Sequence, residues 1–128
     1  MTYQVTVTRE DGLWVADVAG EGLGPAATDV QRFGDLDIEV RDFIAGLTDT
    51  DPDELDLEWR YVIDGKDVTF EVSNLLVAEN ALRSLERTYE LMRQTALGAL
   101  HDAGLPQSAI GDVLGVSHQR VHQLLKVS

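Results

Sequence analysis

The 128-residue chain predicts an α+β protein: a small antiparallel sheet with one packed helix, then a long helix and a C-terminal helix-turn-helix. Three observations carry that reading. Apolar and polar residues alternate over positions 3–18 and 57–72, the period of half-buried strands. Apolar residues recur at steps of three and four over 33–47 and 75–99, the period of a helix with one apolar stripe. The tail, 106–128, sets small, turn-forming and apolar residues where two short crossed helices need them.

Each element follows in order. Tyr3, Val5 and Val7 share one face of an opening strand, and Gln4, Thr6 and Thr8 the other. Glu10-Asp11-Gly12 is a turn, after which Trp14, Ala16 and Val18 alternate with Val15 and Asp17, completing a β-hairpin. Gly20, Gly22, Gly24 and Pro25 interrupt the pattern, and a short third strand fits residues 26–29. Phe33, Leu36, Val40, Phe43, Ile44 and Leu47 define an amphipathic helix whose outer face carries Asp35, Asp37, Glu39 and Asp42, with Gly46 and Thr48 at its close. Residues 49–54 form an acidic loop around Pro52. Leu57, Trp59, Tyr61 and Ile63 read as a strand, Asp64-Gly65 as a hairpin turn, and Val68, Phe70 and Val72 as the returning strand.

Ser73 or Asn74 can cap a long helix that runs to about residue 103. Its seam is Leu75, Ala78, Leu82, Leu85, Tyr89, Met92, Ala96 and Ala99, a heptad spacing. Two uses suit that seam: a homodimer interface, or packing inside the chain against the sheet or the last two helices. Gly104 ends the helix, and Pro106 suits the start of the next. The expected division is therefore an α+β domain over 1–73, a linking helix over 74–104 and a helix-turn-helix over 105–128.

In the tail, Ile110, Leu114, Val116, Val121 and Leu124 lock two helices together. Gly111 stands where the helices approach most closely, so it must be small. Gly115 supplies the positive φ of the turn. Ser117 caps the second helix. His118, Gln119, Arg120, His122 and Gln123 then remain free on the second helix; Gln suits adenine and Arg suits guanine in a DNA major groove. Gln107, Ser108, Ser117 and Lys126 are placed for phosphates. A purely structural helical hairpin is the competing reading.

Composition bounds the function. Hydrophobic residues make up 44% of the chain, ordinary for a globular protein, and no run of apolar residues reaches a membrane span. No basic-then-apolar leader opens the chain, and cysteine is absent, so a cytoplasmic protein without disulfides or thiolate metal sites is expected. Residues 1–74 hold 5 Lys+Arg against 18 Asp+Glu, the whole net charge of −13, whereas residues 75–128 are neutral. That split points to two surfaces with different partners, or simply to an acidic, solubilising half. His118 and His122 have the spacing of a metal pair but lack a third ligand. No nucleophile–base pair or phosphate-binding glycine loop is present, so no enzyme activity, metal or cofactor is expected.

The opening strand, Asp11-Gly12-Leu13-Trp14-Val15-Ala16, the glycine-rich segment, the single helix and the C-terminal module resemble antitoxins of the HicB type. Gly115-Val116-Ser117-His118-Gln119-Arg120-Val121-His122-Gln123-Leu124 is similar to the ending of HicB-like proteins from actinobacteria. The resemblance spans most of the chain. It is specific at the tail and loose before it, where residues 20–25 replace the family's Pro-x-x-Pro-Gly-Cys segment. It implies a partial RNase H-like N-terminal domain without catalytic acids, which covers the active site of a small basic mRNA-cleaving toxin. It also implies a C-terminal module that binds operator DNA as a homodimer or higher oligomer and represses transcription. Two alternatives remain: a helix-turn-helix regulator with a non-toxin protein or ligand partner, and a metal-dependent nuclease remnant.

Overall fold

The computed structural model describes residues 2–127. In chain order they form β1 (Thr2–Glu10), β2 (Leu13–Gly20), β3 (Leu23–Val30), α1 (Leu36–Thr48), β4 (Asp56–Ile63), β5 (Lys66–Asp67), α2 (Thr69–Asp102), α3 (Gln107–Leu114) and α4 (His118–Val127), an α+β chain. It divides into two compact units, Met1–Leu75 and Leu76–Ser128, with α2 contributing to both.

The first unit is a sheet in the order β3-β2-β1-β4-β5. β1, β2 and β3 run antiparallel, but β4 lies parallel to β1, so the sheet is mixed and not purely antiparallel. The reason is α1. A strand that follows a helical crossover returns to the same end of the sheet and joins its neighbour in the same direction. Both expected tight turns form at Asp-Gly pairs: Asp11 and Gly12 have φ of 50° and 78°, and Asp64 and Gly65 have 50° and 77°. β3 is longer than residues 26–29 and includes Gly24 and Pro25, which an edge strand tolerates because its outer N–H groups have no ladder partner.

The predicted inner face of the sheet is buried at its centre, with Trp14, Leu57, Trp59 and Ile63 half-buried. Tyr3, Val5, Val7, Ala16, Val18 and Tyr61 are covered, as are Leu36, Val40 and Ile44 of α1. Gly20 is needed there, since a Cβ would run into the Tyr3 ring. Trp14 meets Phe33 edge-on at 5.2 Å, and Arg9 lies over Trp14 at 4.7 Å. Leu47, expected on the inner face, is 54% exposed. Gly46 lies inside α1, and Asp49 closes the helix in a left-handed conformation with φ 54°. Arg41 ties α1 to the loop before β4, donating from Nη1 to the Leu55 carbonyl at 2.9 Å and from Nε to Asp37 at 3.1 Å.

The returning strand ends at Asp67 and does not include Val68, Phe70 or Val72. A capping arrangement overrides their alternation. Thr69 N–H donates to Asp67 Oδ1 at 3.0 Å, and Thr69 Oγ1 accepts from the Tyr61 N–H at 2.9 Å. These bonds start α2 at Thr69 rather than at Ser73 or Asn74. The side-chain and backbone hydrogen bonds from Thr69, with Arg60 adding to them, lower the Asp67 carboxyl to about 2.

The second unit is helical. Leu97, Ile110, Val121 and Leu124 are its buried core, with Leu100, Leu105, Leu114, Val116 and Leu125 packed around them. The residue of α2 that enters this core is Leu97 and not Ala96 or Ala99 of the expected seam. Leu75, Leu82, Leu85, Tyr89 and Met92 of that seam are between 56% and 66% exposed, so they are not an intramolecular core.

Candidate functional site

α3 and α4 are held by the residues the tail spacing singled out. The Pro106 carbonyl accepts from the N–H groups of Ala109 and Ile110, both at 3.0 Å, and opens α3. Gly115 ends it with φ 72°, in the left-handed region that side chains resist. Val116 N–H turns back to the Gly111 carbonyl at 2.9 Å. At Gly111 a Cβ would stand 2.5 Å from the Val116 carbonyl oxygen, so only glycine lets the turn fold over α3. Ser117 Oγ accepts from Arg120 N–H at 3.2 Å and caps α4.

With Val121 and Leu124 buried, the helical period turns His118, Gln119, His122, Gln123 and Lys126 outward. Gln107 of α3 joins them, and the six line one shallow concavity. These are six of the nine residues expected at the site. Ser108 and Ser117 are exposed but lie off its lining, and Ser117 is engaged as the cap. Gln107, expected on phosphates, lines the concavity beside His118, Gln119, His122, Gln123 and Lys126.

Arg120 also stands off the lining. Its Nη1 donates to Gln123 Oε1 at 3.4 Å, and its charge reaches Glu90 on α2. The Glu90 carboxyl is held below its ordinary range chiefly by hydrogen bonds from Arg93 and Gln94, with Arg120 a smaller contribution. Arg120 is thus exposed beside Gln123, within hydrogen-bond reach of its amide. Its position in the sequence could not show the charge on Glu90, because Glu90 lies on a different helix.

The chemistry of the concavity is uniform. It has three amides, two imidazoles and one ammonium, and no carboxylate. Every one of these groups can donate a hydrogen bond, and the amides can also accept. A ten-residue α4 is about 15 Å long, and a helix of that size enters a major groove about 12 Å wide. A second shallow hollow lies on the open face of the sheet, where Gln4, Thr6 and Asp17 meet Leu23, Gly24 and Pro25. Among the described residues no group of three or more His, Cys, Asp or Glu is arranged to hold a metal ion. None of the described helices is long and apolar enough to cross a membrane.

No protein-family model matches the chain, and comparison with curated proteins and with solved structures gives no match. The likeness to HicB-type antitoxins therefore stands on the quoted residues alone.

Proposed function

We propose that the protein is a sequence-reading regulator of double-stranded DNA, with α4 as the helix that enters the major groove. One observation carries the reading. Gln119, His122 and Gln123 project together, with Lys126 beside them, from a helix whose opposite side is locked into a core. A structural hairpin has no use for a carboxylate-free, donor-rich concavity in a chain of net charge −13. In this reading Gln119 and Gln123 contact base edges, Lys126 and Ser108 contact phosphates, and the two histidines flank the bases.

The acidic first unit is proposed to take a small basic protein as its partner, as an mRNA-cleaving toxin would be. An order of three antiparallel strands, a helix and a parallel fourth strand supports the partial RNase H-like reading of that unit. No catalysis belongs to this reading. A regulator with another protein or ligand on the acidic unit is the alternative, and the exchange of residues 20–25 for the family's usual segment favours keeping it.

The test is selection of bound sequences from a random duplex library, followed by titration. The wild-type chain should enrich one motif. Gln123→Ala should lose about 1–3 kcal/mol and relax preference at one base pair. Arg120→Ala should lose less than Gln123→Ala. Absence of any enriched motif sinks the DNA reading. Rescue of cells from a small basic protein encoded beside this one separates the toxin partner from the alternative.

A further inference from the structure

We infer that the exposed seam of α2 is the contact for a second copy of this chain, the two helices lying parallel and in register. The stripe Ala78, Leu82, Leu85, Tyr89, Met92 keeps the heptad steps of three and four. Its four large members are 56%, 66%, 59% and 66% exposed in chain order. Together they leave on the order of 400 Å² of apolar surface, the size at which a patch marks a binding site. Joining two such stripes with their flanking stems covers on the order of 1,000 Å², near the lower bound for a specific protein interface.

Charge selects the orientation. In a parallel pair each residue flanking the seam on one side meets the residue five positions earlier on the other helix. Glu79 then faces Asn74, Glu86 faces Ala81, and Arg93 faces Thr88, so every charge meets a neutral neighbour. The antiparallel pairing that sets Leu82 on Met92 brings Glu86 against its own copy. The compensating pair, Glu79 with Arg93, is poorly available there. The Arg93 side chain is only 17% exposed, and its guanidinium is already 2.8 Å from Glu90. Parallel pairing also sets Leu on Leu and Met on Met, with Ala78 on Ala78 at the narrow end.

The parallel arrangement also brings both copies of α3 and α4 to the same end of the pair, where one duplex can be addressed by two reading helices. That last point rests on the DNA reading; the pairing itself does not.

The absence of cysteine makes the test clean. Ala78→Cys and Met92→Cys, each alone in the full chain, should both form a disulfide with their own copy under mild oxidation. The two positions are about 21 Å apart along the helix, and a disulfide needs Cα atoms within about 7 Å, so only a parallel, in-register pair allows both. Leu85→Asp should raise the dimer dissociation constant at least about a hundredfold in sedimentation, with helix content unchanged, because a carboxylate is forced into the seam. Val77→Asp, exposed on another side of α2, should leave it unchanged. A monomeric wild-type chain at tens of micromolar, or a dimer indifferent to Leu85→Asp, overturns the proposal. Cross-linking at one position but not the other overturns the parallel register. All of these readouts are made without DNA, so they stand or fall separately from the DNA reading.

Discussion

The two units solve the same problem, burying apolar area, by different means. In the first, the core is spread over strands brought together from distant parts of the chain: Val5 pairs across to Val18 on one side and to Trp59 on the other. In the second, four residues from three helices close a much smaller core, and only Leu97 comes from outside the last 25 residues. A core with so few members has little redundancy. Each buried group there carries a larger share of the stability of its unit, and the placement of the exposed face of α4 depends on all of them.

Ile110→Ala gives the largest expected effect and tests that contrast directly. It should remove about 2–5 kcal/mol from the second unit, while amide hydrogen exchange in the strands of the first stays slow. Equal loss of protection in both units would show that they unfold as one. Gly111→Ala is expected to cost less, about 1–3 kcal/mol, because the turn must shift to admit one methyl group beside the Val116 carbonyl. The measurement is again exchange at the amides of α3 and α4; unchanged protection would mean that the turn gives way freely.

The smallest effect concerns the first unit. The Asp67 carboxyl is lowered in the folded chain, so its hydrogen bonds to Thr69 contribute stability that is present above the usual Asp range, near 4. That contribution is lost as pH falls toward about 2. Asp67→Ala should remove that contribution, a small loss at pH 7 because the site is exposed. The two proteins should converge in stability as pH falls toward about 2, flattening this stretch of the acid-unfolding curve. A mutant whose acid limb overlays the wild type would remove Asp67 from the account of where α2 begins.

What could be read in advance divides along the same line. Positions set by local period were legible: the two faces of β1 and β2, the buried stripe Leu36, Val40 and Ile44 of α1, and the spacing of Ile110, Gly111, Gly115 and Val121. Positions set by a partner elsewhere in the chain were not. β4 joins β1 in parallel because α1 intervenes, and alternation alone carries no direction. Val68, Phe70 and Val72 alternate like a strand, yet the bonds of Thr69 to Asp67 and Tyr61 end the strand before Val68 and put Phe70 and Val72 in the helix. Leu97 lies off the heptad steps, which run through Ala96 and Ala99, and only the placement of Ile110 and Val121 decides which side of α2 is covered. Arg120 belongs to the same class, since its neighbour Glu90 is thirty residues away.

The opposed faces of α4 have an evolutionary consequence. Val121 and Leu124 hold the helix in place, whereas Gln119, His122 and Gln123 are exposed and lie outside that core. Substitutions at those three positions are therefore nearly free of any stability penalty. In the proposed DNA reading, a duplicated copy of this chain could drift to a new target sequence through a handful of single changes, each giving a folded protein, before its core or its acidic half had altered at all.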